Sequence, residues 1–118
     1  MDSYRELIVW QKAMDLAEEV YRIVKFFPKE EQYALSDQLR RAAVSVPSNI
    51  AEGYGRKAAK EYGRFLNIAR GSNNEVETQL LLSVRLGYST AEGIENAMQM
   101  CDEIGKMLNA ITKKLTAE

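Results

Sequence analysis

Four stretches of this chain repeat apolar side chains at three- and four-residue steps. That period commits each to an amphipathic helix whose stripe must be buried against the others. In residues 4–26 the stripe is Trp10, Ala13, Ala17, Val20, Tyr21 and Val24, widened by Val9, Leu16 and Ile23. Phe27-Pro28 predicts its end, because a residue before proline is pushed out of the helical region and proline has no amide to continue the ladder. A second helix is predicted from Ser36, read as its N-cap with Asp37 in the first turn, through Leu39, Ala42, Ala43, Val46, Ile50, Ala51 and Tyr54. Pro47 falls in its middle and predicts a kink there, with Ser45 and Ser48 available to satisfy the freed backbone groups.

A third helix is expected over residues 58–86 on Tyr62, Phe65, Leu66, Ala69, Val76, Leu80 and Val84. Gly71 interrupts it, pointing to a bend or to close approach of another backbone. Gly87 suits the left-handed position that closes a helix. Ser89-Thr90-Ala91-Glu92 has the form of a capping box, and Ile94, Ala97, Met98, Cys101, Ile104, Leu108, Ile111 and Leu115 follow at helical spacing. No sustained period-two alternation is present, nor an Asn-Gly or Asp-Gly hairpin between apolar runs. The fold class is therefore all-α. Four such helices with short connections pack most simply as an antiparallel up-down-up-down four-helix bundle, with helix 2 kinked at Pro47 and residues 1–118 forming one domain.

Sixteen basic and seventeen acidic residues leave a net charge of −1, so no overall field draws the protein to nucleic acid or anionic lipid, and any such binding must come from a local patch. Residues 1–6 carry charge and no apolar run of signal-peptide length, and no stretch approaches a membrane span, so a cytoplasmic protein with no membrane partner is expected.

The chain has no histidine, which removes Ser-His-Asp and Cys-His chemistry and the Glu-x-x-His di-metal sites of helical bundles. An all-carboxylate site is the one metal chemistry left open. Cys101 is the only cysteine; it sits in an apolar stripe and reads as a packing residue. Gly53-Tyr54-Gly55-Arg56-Lys57 lacks the spacing and the preceding strand of a phosphate-binding loop and reads as a helix terminator. The expectation is a protein that is not an enzyme and needs no cofactor.

Residues 45–53 and 69–75 are more polar than a bare bundle requires, and their small residues would let helices 2 and 3 approach closely. Within and beside them Arg41, Asn49, Glu52, Arg70, Ser72 and Glu75 form a candidate interhelical network of ion pairs and hydrogen bonds that would fix helix register. Residues 40–70 also hold seven basic side chains against Glu52 and Glu61, a local excess of five. Arg40, Arg41, Arg56, Lys57, Lys60 and Arg64 are the candidate nucleic-acid contacts, with Tyr54 and Tyr62 as stacking faces; a solvated helix end is the alternative.

Several motifs together resemble one family. These are Leu7-Ile8-Val9-Trp10-Gln11-Lys12-Ala13-Met14, Gln38-Leu39-Arg40-Arg41-Ala42-Ala43, Val46-Pro47-Ser48-Asn49-Ile50-Ala51-Glu52-Gly53 and Ala69-Arg70-Gly71-Ser72. They are similar to the four-helix-bundle proteins encoded in intervening sequences of bacterial 23S ribosomal RNA genes. The resemblance implies a homopentamer, and a distant relationship to the accessory protein of diversity-generating retroelements, which binds nucleic acid. It conveys a fold and an assembly rather than a mechanism. Ala58 stands where that family offers a serine or threonine cap, and Asn73-Asn74 replaces more apolar or charged residues.

Two readings of function follow. One is a homo-oligomeric adaptor that binds structured RNA, ribosomal RNA included, through the basic surface. The other is a protein-interaction scaffold with no nucleic-acid binding, whose partner is another protein.

Overall fold

The structure, a computed structural model, describes residues 3–117; Met1, Asp2 and Glu118, counted above in the single domain, lie outside the described residues. Four α-helices make up nearly all of it: α1 Ile8–Val24, α2 Leu35–Tyr54, α3 Ala59–Arg85 and α4 Glu95–Ala117, with 3-10 turns at Tyr4–Glu6 and Lys29–Glu31. The described residues contain no strand, and the whole is an elongated all-α bundle of 46 × 23 × 20 Å.

The helix starts are where local reading and structure part company. The first helix, expected from residue 4, begins at Ile8, because Tyr4–Glu6 close a separate turn in which Ser3 Oγ accepts the Arg5 amide (3.1 Å) and Leu7 is extended. Ser36 does not cap α2. It is buried inside the first turn, and the Leu35 amide donates instead to Glu31 Oε1 (3.2 Å), a carboxylate four residues upstream. The Ser89 to Glu92 capping box does not form either: Thr90 Oγ1 accepts the Gly93 amide (2.9 Å) in a turn that precedes α4. Ala58 caps α3 with no side chain.

The helix end at Gly87 follows the expectation. Its φ of +81° lets the Tyr88 amide reach Ser83 O (2.9 Å) and the Gly87 amide reach Val84 O (3.0 Å), the paired bonds of a Schellman ending. α2 is helical without interruption through buried Pro47. Asn49 Nδ2, rather than a serine hydroxyl, bonds a backbone carbonyl in this region, that of Ser45 (2.8 Å).

Leu16, Leu39, Ile50, Leu66, Leu80, Ile104 and Leu108 are fully buried, so every helix contributes to one core. In α1 the centre of the stripe is Val9, Ala13, Leu16, Val20 and Val24, while Tyr21 is exposed; the buried face is rotated from the one drawn through Trp10, Ala17 and Tyr21. The longest seam joins α2 and α3. Along it Gln38 meets Gln79, Ser45 meets Ser72 and Gly53 meets Phe65, so the two helices run in opposite directions. Asn73 against Cys101 and Gly63 against Leu115 set α3 and α4 likewise. A Cβ at Gly53 would lie 2.7 Å from Phe65 Cβ and 3.2 Å from the Tyr62 carbonyl, so this approach requires glycine.

Candidate nucleic-acid interface

The six basic candidates do not form one patch. Arg40 and Arg41 lie in the first half of α2, and at 1.5 Å per residue Arg41 is roughly 20 Å along the helix axis from its C-terminal end. Both are engaged locally. Arg41 Nε donates to Asp37 (2.9 Å), and half-buried Arg40 donates to the Gln32 carbonyl (3.0 Å), clamping the connection that leads into α2. Their adjacency to the other four was a property of chain position and is lost along the length of α2.

Arg56, Lys57, Lys60 and Arg64 do come together, at the pole where α2 turns into α3. Arg56 Nη2 pairs with Glu52 (2.7 Å, one helical turn back) and Arg64 with Glu61 (3.3 Å). The Arg64 hydrogen bond, followed by its charge, holds the Glu61 carboxyl below its ordinary range. Both guanidiniums also sit over one ring: the Cζ atoms of Arg56 and Arg64 are 4.9 and 4.6 Å from the Phe65 centroid. Lys57 and Lys60 are exposed and have no carboxylate partner among the described residues. The last turns of α4 reach the same pole, since Lys60, Gly63 and Asn67 line a cleft of about 320 Å³ with Thr112, Leu115 and Thr116; Lys113 and Lys114 therefore add to its charge.

Tyr54 and Tyr62 are not open stacking faces. Their rings meet edge to face at 6.0 Å, and burial, with the neighbouring Tyr54, pushes the half-buried Tyr62 hydroxyl up from its ordinary pKa.

The interhelical ion-pair network is also absent. Arg41 pairs with Asp37 within α2, Glu52 with Arg56 just past the end of α2, Arg70 donates to Asn67 (3.3 Å) and Glu75 accepts from Gln79 (3.5 Å) within α3, each a local contact. Side chains of opposite charge four residues apart satisfy one another more cheaply than across a seam. What crosses from α2 to α3 is neutral: Ser45 Oγ to Ser72 Oγ at 2.8 Å, with Asn49 Nδ2 on Ser45 Oγ at 2.9 Å, and Gln79 to Gln38 at 3.2 Å. Asn49 and Ser72 thus belong to a polar seam, and the charged members do not.

Two residues passed over in the sequence matter here. Phe65, taken as core, is the ring that organises both arginines. Asn73 occupies a stripe position of α3 between Ala69 and Val76 and is 3% exposed; its Nδ2 donates to the Cys101 carbonyl (2.9 Å) and its Oδ1 has no partner. An asparagine at a core register was the signal that could have singled it out. It floors a polar cleft of about 300 Å³ between α3 and α4, lined also by Arg70, Asn74, Lys106 and Asn109. Cys101 is buried as expected, and burial pushes its thiol up to about 12. No helix among the described residues is long and apolar enough to cross a membrane, and none of their acidic or cysteine side chains cluster as a metal site.

An all-helical bundle with a charged pole places the chain among small helical-bundle proteins. Among them, the chain belongs to the 23S rRNA-intervening sequence protein family, whose model matches residues 5–110. A solved structure of a protein of unknown function from the S23 ribosomal protein family of Bacteroides thetaiotaomicron is similar to it, with a TM-score of 0.83 and 30% identity over 90% of this chain and 99% of that one. No curated protein matches the sequence.

Proposed function

We propose that the protein is a non-catalytic, cytoplasmic, homo-oligomeric adaptor that binds structured RNA, ribosomal RNA included, through the α2–α3 pole. The observation that carries this reading is the convergence of Arg56, Lys57, Lys60 and Arg64 with Lys113 and Lys114 at one end of a bundle whose net charge is −1. Cations so concentrated on a near-neutral body favour a polyanion at that pole. The family's name, which ties it to ribosomal RNA genes, supports the same partner class. Self-association, as a ring of five by resemblance, is supported by exposed Ile68 and Leu82 on α3 and Leu86 at its end, and by Gly71 on the same helix, where an added Cβ would meet nothing. A ring would repeat the pole and multiply weak single contacts.

Mass-resolved size-exclusion chromatography with and without a structured ribosomal RNA fragment, at low and moderate salt, tests this. A multimer that shifts with RNA at low salt only supports the adaptor. A multimer indifferent to RNA favours the protein scaffold, for which the opposite pole offers a specific feature: Phe26, 84% exposed, lines a cleft of about 430 Å³ with Ile23 and Tyr88.

A further inference from the structure

The four cations of the pole are not equivalent. Arg56 and Arg64 each have a carboxylate three or four residues back in the chain, so their charge is already compensated and part of the guanidinium edge is occupied. A phosphate approaching either would meet Glu52 or Glu61 as well. Their planes are a different matter. The Cζ atom of each lies over the Phe65 ring, and the side chains remain 45% and 56% exposed, which leaves part of each guanidinium open to solvent. The carboxylate and the ring together hold each guanidinium, which fixes two long side chains that would otherwise lose rotamer entropy on binding. Lys57 and Lys60 are the reverse: uncompensated point charges on flexible stems, with no plane to present.

We propose that Arg56 and Arg64, set over Phe65, form a stacking platform for unpaired RNA bases, and that Lys57 and Lys60 hold the adjoining phosphates. This rests on the RNA-binding reading and narrows it. Base faces are accessible in loops, bulges and ends, whereas a continuous duplex keeps them in its own stack and presents phosphates alone. The protein therefore selects unpaired segments over duplex of equal charge.

Fluorescence anisotropy with two RNAs of equal length, one a hairpin with a purine-rich loop and one a continuous duplex, tests the assignment across a salt series. The wild type is expected to prefer the loop RNA. The R56K/R64K double variant keeps charge and carboxylate pairing but loses the planes, and should lose roughly tenfold in loop affinity with the duplex affinity and salt slope unchanged. K57Q/K60Q should weaken both RNAs and flatten the slope for the unpaired segment by about 1.4, the value for two phosphate contacts to a single strand. Thermal melting of both variants, whose changes are all on exposed side chains, checks that they fold. Equal loop and duplex affinities with R56K/R64K silent would overturn the platform and leave RNA binding standing. A wild type that binds neither RNA would remove the RNA reading itself, and the platform with it.

Discussion

Ser45 Oγ and Ser72 Oγ lie 2.8 Å apart across the α2–α3 seam and, with Gln38 and Gln79 at 3.2 Å, fix the register of the two most extensively packed helices by side-chain hydrogen bonds. Asn49 Nδ2 donates to the same Ser45 oxygen, which makes Ser45 the hub. In a double-mutant cycle Ser45→Ala and Ser72→Ala should couple by about 0.5–1.5 kcal/mol in chemical denaturation. The Glu52→Gln and Arg70→Gln pair should be additive, since each is held by a local contact. Coupling in the second cycle and none in the first would show the charged network to be the real one.

Two glycines of the α2–α3 hairpin should respond in opposite directions. Gly53→Ala places a Cβ 2.7 Å from Phe65 Cβ, so overpacking of about 1–3 kcal/mol outweighs a helix-propensity gain of about 1 kcal/mol, and the protein is destabilised. Gly71→Ala meets nothing and should stabilise a single chain by about 0.5–1 kcal/mol. Denaturation at low protein concentration checks both. A loss of multimer on Gly71→Ala with the monomer stabilised would put a neighbouring copy's backbone over that position.

Gly87→Ala should cost roughly 1–2 kcal/mol although the site is open, because φ is +81° and the penalty is conformational. Its effect should spread. Tyr88, placed by that ending, packs tilted on Phe27 at 5.6 Å and donates its hydroxyl to Glu31 Oε2 (2.9 Å), the carboxylate whose other oxygen caps Leu35. Faster amide exchange at Leu35 in the Gly87→Ala variant is the expected readout.

Cys101 should be inert to a thiol reagent at pH 8 in the folded protein and react on unfolding, because burial holds its thiol at about 12. The linkage has a definite sign. Between the ordinary value of 9 and about 12 the folded state keeps a proton that the unfolded state has lost, so this contribution is full below pH 9 and falls away as pH rises toward 12. Cys101→Ser should shallow that alkaline loss of stability. An equal slope in both proteins would assign it to Tyr62 and Tyr88, whose hydroxyls are also raised.

Much of the bundle was legible without coordinates. The helical period of the stripes determined four helices and most of the buried apolar residues, because burying an apolar face is a demand each segment makes on its own. Glycine at 87 announced its helix end for the same local reason. The interface was legible only as composition: a count of cations over residues 40–70 cannot say that Arg41 and Arg56 stand most of the length of α2 apart, or that Arg41, Arg56 and Arg64 each already have a carboxylate.

What tertiary structure alone decided were the contacts between segments distant in sequence. Glu31, not Ser36, caps α2 because Tyr88 holds that carboxylate in place from 57 residues away. Ser45 finds Ser72, and Phe65 gathers Arg56 and Arg64, because Gly53 lets two helices close to within contact of each other's backbone. Periodicity is a property of one helix. The choice of polar partner depends on which side chains the packed faces bring within about 3 Å, and no single stripe contains that information.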